Sequence, residues 1–355
     1  MMRSNGQAMD NRRRYLNIIR KMNLQDENLI STALKQKGFY SENKTYPLSS
    51  LHFELTSRCN AFCKHCYNNS GIDNVVDMMT PEKWIIFSKY IVDKGGVFEC
   101  LLSGGEPLLL GERLFDIMDV LHEDGTIFLV MTNGQLLTEE IARKLKKYQY
   151  HWMQVSIDGA TKEYHDWFRQ SQGCWEKAIR GAEIIANNKM PLKIAHCVTP
   201  YNLNEIDDMC KLAYSLGATS IMIGGISLSG RTGINQDLLL SEFEKKVMED
   251  KIENNKLKFN GKLQVKSANC VKQGLIKHSK RPRSGAIIRP NGDIRIDGMA
   301  PFIIGNILRD DFTDIWERKI DICWKDFRVQ DFINGFDKND RNKKYINYIE
   351  KDILL

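Results

Sequence analysis

The sequence predicts an α/β protein: a partial (β/α)6 barrel followed by a small α+β C-terminal module. Two observations carry this. From residue 51, short β-prone runs alternate with amphipathic stretches of helical length; near residue 258 the alternation stops and a hairpin signal takes over. Strands alternating with helices pair in parallel through right-handed crossovers. Six such units over roughly 200 residues suit an open barrel or doubly wound sheet better than a closed eightfold one.

The strands are expected at 51–55, 98–102, 127–131, 153–157, 192–198 and 220–224, and the helices at 81–93, 112–123, 139–147, 174–188, 204–216 and 241–254. Thr80-Pro81-Glu82 supplies a cap, a proline suited to the first helical position and an acidic first turn. Thr138-Glu139-Glu140 and Ser241-Glu242 repeat the cap and acidic start. In 286–297, β-prone arms flank Asn291-Gly292, a pair that accepts the positive φ of a two-residue hairpin turn. A short helix near 311–318 follows. The chain divides accordingly into a helical lead-in (1–48), the barrel (49–257), the module (258–330) and a polar helical tail (331–355).

Composition narrows the function classes. The chain of 355 residues is 42% hydrophobic and 27% charged, ordinary for a soluble globular protein. No apolar run approaches the ~18 residues of a membrane span, and no apolar segment follows the basic start, so a cytoplasmic location is expected. The net charge of +6 is dispersed, apart from Arg12–Arg14 and the tail after Gly335, which argues against a nucleic-acid partner. Of nine cysteines, three fall within residues 59–66; Cys100, Cys174, Cys197, Cys210, Cys270 and Cys323 stand apart. That pattern speaks for one metal site plus isolated, mostly buried thiols rather than a disulfide framework.

In parallel α/β proteins the loops at the carboxyl ends of the strands build the site. Here those loops carry Cys59, Cys63 and Cys66 after the first strand and Ser103-Gly-Gly-Glu-Pro107 after the second. Thr132-Asn-Gly134 follows the third, Ser156 and Asp158 end the fourth, and Gly224-Gly225 end the sixth. Three cysteines on one loop suit iron or zinc. Structural zinc sites usually come as two ligand couples, and His65, between two of the cysteines, is poorly placed to complete one. An iron–sulfur cluster with four irons would take three protein ligands and keep one iron open.

With an aromatic residue before the third cysteine and Tyr67 after it, "CNAFCKHCY" resembles the loop of the radical S-adenosylmethionine (radical SAM) superfamily. The resemblance implies one [4Fe–4S] cluster on Cys59, Cys63 and Cys66, with SAM chelating the open iron. It also implies reductive cleavage of SAM to a 5′-deoxyadenosyl radical, which abstracts a hydrogen atom from substrate. Gly104, Gly105 and Glu106 would receive the SAM amino group, and Arg169 its carboxylate, the alternative for Arg169 being a surface ion pair. Ser156 and Asp158 would lie near ribose or substrate, with Asn133 and Gly224 near ribose and adenine; His65 counts among the cofactor contacts.

"QVSIDGATKEYHDWFR", "CWEKAI" and "PNGDIRIDG…GNILRDDFTDIWE" further resemble the peptide-maturing branch with a SPASM or twitch module. In that branch cysteines for auxiliary clusters flank the hairpin; here those positions are Ser279 and Asp297. A degenerate module without an auxiliary cluster is therefore expected. The implied substrate is a ribosomally made peptide, epimerised or crosslinked, with flavodoxin or ferredoxin as electron donor. Without a second cluster to accept an electron, a redox-neutral outcome is slightly favoured, and Cys174, Cys197 or Cys270 could donate hydrogen; Asp297 could act on substrate. The alternatives are a small-molecule substrate and, from another class, a zinc-stabilised binding protein.

Overall fold

A computed structural model describes residues 48–72, 77–94, 96–268, 271–335 and 352–355. All but the last residue of the lead-in, all of 336–351, and Cys270 lie outside the described residues.

Seven strands run parallel in chain order: β1 (Leu48–Glu54), β2 (Val97–Ser103), β3 (Ile127–Thr132), β4 (Tyr150–Ser156), β5 (Leu192–Val198), β6 (Ser220–Gly225) and β7 (Gln264–Ser267). The connecting helices are α1 (Pro81–Asp93), α2 (Glu112–Glu123), α3 (Glu139–Leu145), α4 (Lys162–Arg169), α5 (Cys174–Asn187), α6 (Ile206–Ser215) and α7 (Glu242–Lys258). The expected caps form: Thr80, Thr138 and Ser241 each accept from the third residue onward, and Ser241 and Glu244 make a reciprocal capping box. The expected strands and helices are present within a few residues of their bounds. The seventh parallel strand is new and lies past residue 257, so the barrel sheet continues beyond the break in rhythm. Its residues, Gln264, Val265, Lys266 and Ser267, include only one apolar side chain.

After α8 (Val271–Ser279), the hairpin β8 (Gly285–Ile288) and β9 (Asp293–Asp297) joins the same sheet, β8 lying parallel to the free side of β1. Strand β10 (Ala300–Asn306), α9 (Phe312–Cys323) and α10 (Phe327–Gly335) follow. Strand β11 (Ile353–Leu354) closes an eleven-stranded sheet parallel to β10. The end of the chain is thus not helical as expected. The β10 edge needs a backbone partner, and the buried Asp352 carboxylate pairs with Arg289 Nη1 at 2.5 Å and Arg295 Nη2 at 3.3 Å.

Alternation along the strands separates two environments. Leu51, Phe53 and Leu55 turn outward and are fully buried, as are Cys100, Leu102, Phe128, Val130, Met153 and Val155. Trp84 of α1 packs on Phe53, ring centroids 4.8 Å apart, and donates its Nε1–H to Leu55 O at 3.0 Å. Truncating such a side chain costs about 3–5 kcal/mol. The inward positions Leu101, Leu129, Met131, Trp152, Ser156, Met222 and Gly224 are only half-buried. The barrel interior is therefore only partly filled, with buried Gln154, Lys193 and Ser220 among its inward side chains and the cysteine loop at its carboxyl-end rim.

Candidate active site

The cysteine loop leaves β1 and is tied down from three sides. On the β2 side, Gly105 N donates to Thr56 O at 2.6 Å and Glu106 N to Arg58 O at 2.9 Å. Close approach here explains the two glycines. A Cβ at Gly105 would lie 2.0 Å from Arg58 O, and one at Gly104 (φ +138°) 2.5 Å from Thr56 O. They accommodate the cysteine loop itself. On the α4 side, Phe62 N and Lys64 N donate to the last-turn carbonyls of Arg169 and Phe168, at 3.2 and 2.9 Å.

The third side was not foreseen. Residues 229–235, the loop after β6, bond to five consecutive carbonyls of the cysteine loop. Arg231 donates Nε–H to Cys63 O at 2.7 Å and its backbone N–H to Cys66 O at 3.0 Å. Asn235 donates to Lys64 O at 3.0 Å, Thr232 to His65 O at 3.5 Å and Ser229 to Tyr67 O at 3.3 Å. Gly230 (φ +52°) admits this contact, since a Cβ there would sit 2.2 Å from Cys66 O. Arg231 is buried, lies 3.9 Å from the Phe62 ring centroid, and forms no ion pair with a carboxylate among the described residues. Arg231→Met is expected to speed iron loss to a chelator about tenfold in the reconstituted protein, the equivalent of one or two lost charged hydrogen bonds. An unchanged rate would remove the clamp from the account.

Cys59 and Cys63 are buried, Cys66 is half-buried, and all three are free thiols packed around Ala61. Burial pushes the Cys59 thiol up to about 11 and that of Cys63 to about 12. Thiolates here need a bound cation to neutralise them. Tetrahedral zinc, with Zn–S bonds of about 2.3 Å, would draw three sulfurs to about 3.8 Å from one another. The three Sγ atoms do not form a set within 4.8 Å, and among the described residues only His65, Asp158 and Cys197 do. The spread donor set fits a cluster better than a single zinc ion.

Behind the loop lies a buried polar network. Asp158 Oδ2 accepts from Arg169 Nε at 2.9 Å and Nη2 at 2.6 Å, and its Oδ1 accepts from Cys197 N at 2.9 Å. Burial opposes the charge on Asp158, but Arg169, His65 and His165 outweigh it and hold the carboxyl well below the usual carboxylate range. Arg169 is no surface ion pair: it is buried, and its Nη1 points to Cys63 Sγ at 3.9 Å. His65 stacks on Phe168, centroids 4.1 Å apart, and burial lowers its imidazole to about 4, so it is neutral at pH 7.

The Glu106 carboxylate fastens the rim, accepting from Leu108 N at 3.1 Å, Thr132 Oγ1 at 2.8 Å and Asn133 N at 2.8 Å. Asn133 Nδ2 in turn donates to Asn60 Oδ1 at 2.7 Å. Ser156 ends β4 on the lumen side, and Gly224 packs toward Ala268, where a Cβ would meet the alanine methyl at 2.5 Å.

A family model described as the radical SAM superfamily matches residues 53–213. Residues 53–213 form a radical SAM domain. The chain is 28% identical to the AdoMet-dependent heme synthase of Methanosarcina barkeri, over 75% of this chain and 81% of that protein. It is 25% identical to AlbA of Bacillus subtilis, a protein of subtilosin (antilisterial bacteriocin) biosynthesis, over 74% of this chain and 58% of AlbA. It superposes on SuiB of Streptococcus suis, solved bound to S-adenosylmethionine, with a TM-score of 0.64 and 15% identity, covering 88% of this chain and 77% of SuiB. SuiB has also been solved bound to its precursor peptide SuiA. The likeness to SuiB shows a shared fold. The radical SAM family uses a [4Fe–4S] cluster and SAM, and the three-sulfur loop fits that use.

The domain brings together Cys59, Cys63, Cys66, His65, Gly104, Gly105, Glu106, Asn133, Asp158, Arg169 and Cys197. Two candidates fall elsewhere. Cys174 Sγ bonds to Asp166 Oδ1 at 3.2 Å in the first turn of α5 and is fully buried. Asp297 is no exposed hairpin residue: it is 9% exposed and bonds to His278 Nδ1 at 2.5 Å.

Proposed function

We propose that this chain is a radical SAM enzyme acting on a ribosomally made peptide, with epimerisation as the favoured outcome and crosslink formation as the other. The position of Cys197 carries this reading. Apart from Cys66, it is the only free cysteine among the described residues that is half-buried rather than buried, and it stands on the lumen side of β5 beside Asp158. Burial raises its thiol, so it keeps its proton at neutral pH. The likeness to AlbA and the fold shared with SuiB support a peptide substrate.

When bound, the cluster and SAM supply a 5′-deoxyadenosyl radical that takes a hydrogen atom from the substrate. Arg169 Nη1, the guanidinium nitrogen not held by Asp158, would meet the SAM carboxylate. Glu106 and Asn133 hold the β2 and β3 rims in place around it. The Cys197 S–H then gives its hydrogen atom to the substrate carbon radical, forming a C–H bond and a thiyl radical. One electron from the donor and one proton from solvent restore the thiol. Flavodoxin or ferredoxin is the donor we expect, with Phe62, half-exposed between Cys59 and Cys63, marking the approach to the loop. We expect the enzyme to work in the cytoplasm; among the described residues no helix is long and apolar enough to cross a membrane.

In this reading the C-terminal module holds no auxiliary cluster. Ser279 Oγ bonds to Ile276 O at 2.9 Å, and Asp297 pairs with His278. The second reading, a small-molecule substrate, is favoured by the heme synthase likeness, which spans most of both chains. Turnover in D2O with short peptides encoded beside this protein separates the outcomes. Epimerisation through Cys197 gives a peptide heavier by one deuterium, lost in Cys197→Ala. A peptide lighter by two hydrogens means crosslinking, and peptides left untouched contradict the proposal.

A further inference from the structure

The lumen carries two lysines that the cofactor site does not use. Lys193 is the second residue of β5; its neighbours Leu192 and Ile194 are fully buried in the core, so its side chain turns inward. It is 8% exposed, and its Nζ lies 4.1 Å from the Trp152 ring centroid on β4. Lys266, next to the core residue Val265 on the edge strand β7, is exposed on the inward side and close enough to Lys193 to act on its charge. Neither lysine has a carboxylate partner among the described residues.

The buried Lys193 ammonium is repelled by the exposed Lys266 nearby and has no carboxylate to answer its charge among the described residues. Trp152 offers its ring face to the Lys193 ammonium, but an aromatic face only partly replaces water. Burial, then the nearby Lys266, brings the Lys193 ammonium down to about 8, the expected response to an unmet positive charge. The missing element is an anion of the ligand. Between Lys193 and the rim, β5 carries only Ala195 and then Cys197 on the inward face, both half-buried.

We propose that Lys193 and Lys266, backed by Trp152, form a carboxylate-binding floor of the lumen. It selects a substrate that carries an acidic group about 13 Å, four strand residues, below Cys197. The assignment rests on the lumen being the substrate cavity of the proposed radical chemistry. It goes further by naming the charge of the substrate. An acidic side chain or terminus of a peptide and a free polycarboxylate share this chemistry.

Trace acetylation of the reconstituted, SAM-loaded protein with acetic anhydride, read by mass spectrometry at each lysine, tests it. The probes are two synthetic peptides that differ by one Glu→Gln exchange, and citrate. We expect the Glu peptide to slow acetylation of Lys193 about tenfold, as a charge-assisted pair would, and the Gln peptide to leave it unchanged. Lys211, exposed on α6, serves as the control. Protection should vanish in Lys266→Met and persist in Lys266→Arg. Protection by citrate but not by the Glu peptide upholds the floor and turns the substrate reading toward a small molecule. Equal labelling of Lys193 with all three probes, at every concentration, overturns the floor whatever the fate of the peptide reading.

Discussion

Alanine at Cys59, Cys63 or Cys66 abolishes 5′-deoxyadenosine formation with dithionite and strips the protein of iron, while the fold survives. The fold survives because the loop is held by groups other than its thiols. Gly105 N, Glu106 N, Arg231 and Asn235 all bond to its backbone carbonyls, and its own Phe62 and Lys64 amides reach α4. The backbone contacts to the thiols are local ones, from Ser70 N to Cys66 Sγ at 3.3 Å and from Ala61 to Cys59. Losing one small buried side chain costs about 1–2 kcal/mol, whereas the cluster loses one of three protein ligands. Activity should fall by more than a thousandfold and the melting point by only a few degrees. Sustained 5′-deoxyadenosine production in any of the three variants would show that the cluster is held elsewhere.

Asp158→Asn is the second large effect, and it acts on stability and chemistry together. The amide keeps the shape but removes the charge that faces Arg169, which is 6% exposed. A buried guanidinium left without its counter-ion costs about 3–5 kcal/mol, and the melting midpoint should fall by roughly 10 °C. The exchange also frees the guanidinium beside Cys63, so SAM cleavage should drop at least a hundredfold. Arg169→Met should be similarly damaging alone. The double variant should regain part of the lost stability, since it removes both charges. Additive losses would mean that the pair does not act as a unit. The sign of the pH effect follows from the depressed Asp158 carboxyl. Its stabilising share is complete above the ordinary carboxylate range, near pH 4, and is lost only as pH falls toward the lower folded value. Between pH 5 and 8 this pair should not alter the melting midpoint.

The barrel was legible because each inner strand buries one face and each helix carries its own start signal. "LHFEL" shows both faces of β1, and Thr80-Pro81 fixes α1 to the residue. The rim was legible because chemistry-bearing residues followed strand after strand. What escaped has a common cause. Strand β7 has one buried apolar side chain, α4 is short and mostly polar, and β11 is held by Asp352 and a sheet edge rather than by its own pattern. The 229–235 clamp works through donors to backbone carbonyls about 165 residues away in the chain, which leave no periodicity to read. Its one local signal is Gly230 before Arg231, a glycine next to a cation just past a strand-end glycine pair. The Gly104-Gly105 pair was legible as a close approach, but its contact with the cysteine loop was not, because a glycine pair in sequence does not say what approaches. Arg169 shows the reverse: the buried partner, Asp158, was already named, and only the fold could bring the two together.

The central claim is that Cys59, Cys63 and Cys66 hold one cluster that SAM completes. Its most direct test is iron, sulfide and zinc analysis of the anaerobically reconstituted full chain, with electron paramagnetic resonance of the dithionite-reduced protein before and after SAM. The account predicts about four irons and four sulfides per chain and a spectrum that changes when SAM is added. Stoichiometric zinc without iron would contradict it, and so would a cluster signal indifferent to SAM. Seven or more irons would keep the loop but overturn the cluster-free module.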